Sequence, residues 1–232
     1  MKKKQSKTIK SILIKVAILS IILYAAGVYT GVKFSKEIEQ STITKIIDLE
    51  EQLQALESKT KSAQLYEQYM YSLNENEICE FSEEYKNYLT SELEVYWSTL
   101  PARLEEYESN NVLTDEYIQI KKKYTQSLIN SWINIKTLSE KCDNNLVPIL
   151  YFYTSNCEEC IKQGENLDEA KISIRTKGLD PIIFTIDLNS DEPVIRAIAN
   201  KYEIQDAPAI IIKENALKGR LITPGEITRA AQ

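Results

Sequence analysis

From residue 146 onward the apolar residues of this chain stop recurring every three or four positions and gather into short blocks. That change of period limits what the last third can fold into. Val147–Thr154 (VPILYFYT) is an apolar run rich in aromatic and branched residues, the mark of a buried strand. A helical stretch follows through Leu167, Ala170, Ile172 and Ile174 to Gly178. Ile182–Leu188 (IIFTIDL) and Ala209–Lys213 (AIIIK) read as further strands, with Glu192–Tyr202 helical between them. Arg220–Thr223 is expected as a fourth strand and Pro224–Ala230 as a last short helix. This alternation predicts an α/β domain with a mixed central sheet over 146–232.

The other end of the chain has a different character. Lys2, Lys3, Lys4, Lys7 and Lys10 make residues 1–10 a basic flank, and 11–32 is almost wholly apolar. About 20 such residues at ~1.5 Å each span a bilayer core. Lys15 lies near the basic end, where it can snorkel, and Tyr24 and Tyr29 suit the opposite interface. The expectation is a single-pass membrane protein with a transmembrane anchor, a cytoplasmic N-terminus and an extracytoplasmic C-terminal domain. A cleaved signal peptide ending near Ala25-Ala26-Gly27 is the competing reading.

The middle reads as helical. Over 36–63, Ile46, Leu49, Leu53, Leu56 and Ala63 are spaced by threes and fours. This fits either a coiled-coil seam that would make a homodimer or an amphipathic helix packed on its own domain. Over 64–142, Ser82 is the expected N-cap of a first helix, which Pro101 should kink or restart. Asn110-Asn111 reads as a turn and Thr114 as the N-cap of a second helix. The tyrosines and tryptophans here are expected to be packing residues. Folded back on each other, the two helices bring Cys79 and Cys142 together, which predicts a structural disulfide.

The first strand of the last third runs into Cys157-Glu158-Glu159-Cys160 at a helix start. A thiolate is the nucleophile in disulfide exchange, and a helix N-terminus favours it through unpaired N–H groups. The two-residue spacing puts the second sulfur one turn away. Ala207-Pro208 precedes a later strand. With these features in place, Leu146–Gln232 resembles the thioredoxin-like superfamily. The resemblance implies that Cys157 attacks, Cys160 resolves the mixed disulfide, and Pro208 is a cis-proline beside them. It implies that Ala207 pairs with an extended substrate segment.

Four positions depart from that family's usual residues. Asn156 stands where tryptophan is common, Glu158-Glu159 where Gly-Pro is common, and Tyr151 where thioredoxins proper bury an aspartate. The glutamates should disfavour the thiolate and make the pair less oxidising than a dedicated disulfide donor. Cys142 and Cys157 should lie at opposite ends of the intervening strand, which would keep the two cysteine pairs from exchanging electrons.

Composition narrows the chemistry further. The chain has 232 residues, 28 basic and 34 acidic side chains and no histidine. The mild negative balance argues against a nucleic-acid partner. The missing histidine removes the commonest general base and metal ligand, so no cofactor or metal site is expected. The function expected is a membrane-tethered thiol–disulfide oxidoreductase acting on exported protein dithiols or disulfides, with an electron donor or acceptor. A non-catalytic binding scaffold and a thiolate metal carrier are the alternatives.

Overall fold

The computed structural model describes the backbone of residues 2–109, 115–142 and 144–232; the side chains of most of 2–22 and 34–46 lie outside the described set. The chain divides into two units, Met1–Leu49 and Glu50–Gln232. The first consists of the N-terminal part of helix α1 (Lys2–Met70). Its described side chains include exposed Leu23, Tyr24, Val28, Tyr29 and Val32, and the Thr30 hydroxyl donates to the Ala26 and Gly27 carbonyls.

Among the described residues no helix is long and apolar enough to cross a membrane. The transmembrane anchor over 11–32, and the single-pass placement built on it, are therefore corrected. The continuous described stretch 23–33 is short and interrupted by Tyr24, Tyr29, Thr30 and Lys33, well under the ~20 apolar residues a span needs. The side chains of 11–19, 21 and 22, and those of the basic flank, lie outside the described residues.

The second unit begins with the rest of α1. Helix α2 (Glu75–Tyr88), a π-helical turn (Leu89–Leu93), α3 (Glu94–Ser109) and α4 (Asp115–Lys141) follow. Strand β1 (Leu146–Tyr153), α5 (Glu158–Arg175), β2 (Asp180–Asp187), α6 (Pro193–Lys201), β3 (Ala209–Ile212), β4 (Asn215–Leu217) and α7 (Pro224–Ala231) complete it. The chain is thus mostly helical with one small four-stranded sheet, and this corrects the expected fold class of an α/β domain behind an anchor. Helices occupy nearly all the described chain before residue 142, while every strand is only three to eight residues long.

Sheet order is β2-β1-β3-β4, with β1 parallel to β2 and antiparallel to β3. The expected strand at Arg220–Thr223 does not form. Instead Lys213 takes a left-handed φ of 54° and turns the chain at once into β4, pairing Ile212 with Asn215. Strand β1 is buried on both faces. On one face Val147, Ile149 and Tyr151 pack with Leu167, Ala170 and Ile174 of α5 and Ile227 of α7. Helices α3 and α4 cover the other face, where the Trp97 ring meets Phe184 of β2 at 4.9 Å.

The helical layer is built on tyrosine. Tyr66 stacks on Tyr88 at 5.1 Å and packs near Phe81 and Tyr85. The Tyr85 hydroxyl donates to Glu67 at 2.6 Å. Leu53, Leu56 and Ala63 of the expected seam are buried within this single chain, and Thr60 meets Ser127 of α4 at 2.7 Å. This stretch therefore packs as an amphipathic helix on its own unit, whereas Ile46 lies outside the described side chains.

Two expected helix boundaries move. Asn74, not Ser82, caps α2: its side chain accepts from the Glu77 N–H, while Glu77 reaches back to the Asn74 N–H. This reciprocal box satisfies two otherwise unpaired donors, so the helix starts a full turn before Cys79. Ser82 instead donates its hydroxyl to the Cys79 carbonyl. Asn110-Asn111 and Thr114 lie outside the described residues. Cys79 is bonded to Cys142 with a Cα separation of 5.3 Å. Closing a loop of 63 residues removes about 4 kcal/mol of unfolded-chain entropy in the chain-entropy treatment.

Helix α3 runs through Pro101 without a break. Proline offers no N–H to the carbonyl four residues back, that of Trp97, and Tyr124 on α4 donates its hydroxyl to that carbonyl at 3.3 Å. The packing of α4 thus satisfies an acceptor that α3 leaves open. Replacing Tyr124 by Phe should cost about 1 kcal/mol, because the acceptor would stay buried and unpaired. A smaller loss than that of an ordinary surface substitution in urea unfolding would contradict this role.

Candidate active site at the dithiol

Strand β1 ends at Tyr153, and four residues then lead the chain into α5. Asn156 takes a left-handed φ of 59°, a conformation that asparagine accepts more readily than bulky residues. Cys157 follows as the N-cap in an extended conformation, with its Sγ accepting from the Cys160 N–H at 3.0 Å. Sulfur here takes the place usually held by a capping oxygen, so the helix terminus and the reactive atom share one point in space.

Cys157 and Cys160 are joined as a disulfide with a Cα separation of 5.2 Å. Their burial differs: Cys157 is partly exposed, whereas Cys160 is only 6 % exposed. An incoming sulfur therefore has access to Cys157, and Cys160 is left for the internal step. Glu158 and Glu159 are both exposed in the first turn of α5.

Tyr151 has a defined task at the position where a buried aspartate was the point of comparison. Its hydroxyl donates to the Cys160 carbonyl at 2.7 Å, and burial pushes its phenol well above the ordinary value, so it stays neutral. The ring occupies the core while the oxygen holds the first turn of α5 against β1. The Ala207–Pro208 peptide is cis. Ala207 packs against the cluster that contains Tyr151 and Cys160, and Ala209, just after Pro208, pairs with Phe152 of β1. The sheet register thus carries the Ala207–Pro208 segment to the same end of β1 as the dithiol.

The helical layer reaches this end as well, which the sequence reading did not anticipate. Ser155 donates its hydroxyl to Glu108 at the end of α3, at 2.6 Å. Glu108 also accepts from Tyr117 at 2.8 Å and from Lys121 of α4. Lys121 bonds Asp187 at the end of β2 at 2.6 Å. A chain of charged and hydroxyl groups therefore ties α3, α4, β2 and the loop before Cys157 together. Nothing in the sequence separates Lys121 from its neighbours Lys122 and Lys123, and Glu108 lies in an unremarkable acidic helix end.

Beside the disulfide is a hollow of about 150 Å³ lined by Pro101, Tyr151, Tyr153, Thr154, Ile161 and Thr185 together with both cysteines. The far disulfide, Cys79–Cys142, sits before the start of β1, about 25 Å away along an eight-residue strand. Among the described residues no group of three or more Cys, Asp or Glu is placed to hold a metal ion. No known protein family, characterised protein or solved structure matches this chain.

Burial alone would raise the Glu108 carboxyl pKa, but hydrogen bonds from Lys121, Ser155 and Tyr117 outweigh it and hold the pKa below the usual 4.5. A depressed carboxyl contributes stability above its unfolded pKa and loses it as pH falls through the folded value. Acidification below about pH 4.5 should therefore release the Ser155 contact, seen as faster amide exchange over 154–157. Glu108→Gln should lose about 2 kcal/mol at pH 7 and show a flatter stability profile as pH falls below about 4.5. An unchanged profile would remove Glu108 from this role.

Proposed function

We propose that the chain is a thiol–disulfide oxidoreductase that exchanges electrons with protein substrates through Cys157 and Cys160, as thioredoxin-like proteins do. The observation that carries this reading is the disulfide at the N-cap of α5, with Cys157 partly exposed and Cys160 buried. The Ala207–Pro208 cis peptide at the same end of the sheet supports it.

In the reduced form the Cys157 thiol loses its proton, and the thiolate attacks one sulfur of a substrate disulfide. A bond forms between Cys157 Sγ and that sulfur, and the other substrate sulfur leaves as a thiolate that takes up a proton. Cys160, deprotonated in turn, attacks Cys157 Sγ and re-forms the internal bond, releasing the second substrate thiol. Two electrons and two protons pass to the substrate. The reverse sequence oxidises a substrate dithiol and begins from the bonded state described above. A dithiol or disulfide of a second protein returns the pair to its starting state, and no cofactor enters the balance.

Thiolate character at Cys157 draws on the free N–H groups of the α5 N-terminus and is opposed by Glu158 and Glu159. Tyr151 stays neutral, so it holds the helix start without adding charge.

A Cys160→Ser variant should accumulate mixed disulfides through Cys157 when offered oxidised protein substrates, and Cys157→Ser should accumulate none. Absence of any trapped species in both variants would favour a scaffold. Replacing Glu158 and Glu159 by Gln should stabilise the thiolate and shift the reduction potential upward by on the order of 10 mV for each glutamate. Equilibration with glutathione measures it, and a downward shift would reverse the assigned effect of the charges.

A further inference from the structure

The hollow at the dithiol does not end there. It shares Pro101, Tyr151, Ile161 and Thr185 with a larger groove of about 520 Å³ that continues between α3 and α5. The groove follows β2, which is the outer strand of the sheet and pairs with a neighbour on one side only. A strand with one unpaired side is a template for an incoming extended chain. The α5 wall runs from Ile161 to Lys171. Ten residues of helix measure about 15 Å, which is the length of four or five extended residues.

Two features of the groove wall define an occupant. Trp97 is 4 % exposed, and its indole N–H has no hydrogen-bond acceptor among the described residues. That N–H is closed off from solvent, so Trp97 meets the groove as an apolar surface against which a side chain of the occupant can pack. Charge supplies the second feature. Glu165 and Asp168 stand exposed on the α5 rim, and Glu158 and Glu159 stand at its start. None of these four has a cationic partner among the described residues. Lys171, by contrast, is bonded to Glu94 across the far end at 2.9 Å. The groove lining is therefore acidic and its one lysine is already paired, while Lys162, exposed on the same helix, does not line it.

We propose that this groove seats an extended segment of the substrate polypeptide, with its sulfur at Cys157 and a lysine or arginine about four residues away over Glu165 and Asp168. The inference rests on the redox reading above and adds a substrate class to it: disulfides flanked by apolar residues and then by cations. The helical layer then has a part in recognition, since α3 supplies Pro101 and Trp97.

The reduced full-length protein would be offered hydroxyethyl disulfide and two hexapeptides as symmetric disulfides, Cys-Val-Thr-Val-Lys-Lys and Cys-Val-Thr-Val-Glu-Glu, each also in reversed order. At low ionic strength one lysine peptide should be reduced about tenfold faster than its glutamate counterpart. In a Glu165→Gln/Asp168→Asn double variant that ratio should fall to about twofold, with hydroxyethyl disulfide reduced as before. Equal rates for the peptides, or a ratio unchanged in the double variant, would overturn the groove while leaving the redox reading standing. No reduction of hydroxyethyl disulfide would overturn the redox reading itself. A second arm needs no redox step: a lysine peptide with serine for cysteine should shift tryptophan emission of the oxidised protein, and Trp97→Phe should abolish the shift. An emission unchanged by the peptide, or a shift that survives Trp97→Phe, would exclude this seat.

Discussion

The burial of β1 on both faces is the constraint on which the second unit depends. A strand covered on one side only can hold one helical layer. Here Val147, Ile149 and Tyr151 pack toward α5 and α7, while α3 and α4 pack on the opposite face of the sheet. The helical layer and the last third of the chain thus share a strand. Displacing β1 would cost both cores at once, because its buried aliphatic and aromatic side chains each contribute on the order of 2 kcal/mol. The same strand delivers the chain to Cys157, so the position of the dithiol follows from the packing of the sheet.

Around the dithiol the chain combines hydrogen bonds of different origin. Tyr151 holds the first turn of α5 from within the core. Ser155, Glu108, Lys121 and Asp187 hold the preceding loop from the helical layer. Between these two supports Cys157 stays partly exposed. A partly exposed cysteine on a firmly held loop would suit the proposed exchange chemistry: the attack requires alignment of three sulfur atoms, and a mobile loop would have to be ordered first.

Much of the local structure was legible in the sequence, and the misses have physical reasons. The period change at residue 146 located β1, α5, β2, α6, β3 and α7 within three residues, because short apolar blocks and helical spacing are local properties. The fourth strand was misplaced because the turn at Lys213 depends on a positive φ at a residue with no turn signature. The start of α2 was missed because the Asn74–Glu77 box precedes any apolar repeat. Reading 11–32 as a membrane span rested on its apolar content, basic flank and flanking tyrosines, whereas among the described residues no helix is long and apolar enough to cross a membrane. The contacts of Glu108 and Lys121 join residues far apart in sequence, and no local pattern carries them. Pro101 was read as a break, yet Tyr124 supplies the missing donor from another helix, a tertiary remedy that spacing cannot reveal.

The left-handed backbone at Asn156 bears on how such a site can vary over generations. A tryptophan at this position would place a large β-carbon substituent in a conformation that bulky residues avoid, at a cost on the order of 1–3 kcal/mol. One codon change cannot therefore turn this loop into the tryptophan-bearing type; the backbone must be rebuilt in the same step or before it. Glycine adopts that conformation freely, and aspartate, one nucleotide change from asparagine, also tolerates it. Lineages that keep this loop geometry should drift among asparagine, aspartate and glycine at 156, with tryptophan lying across a barrier.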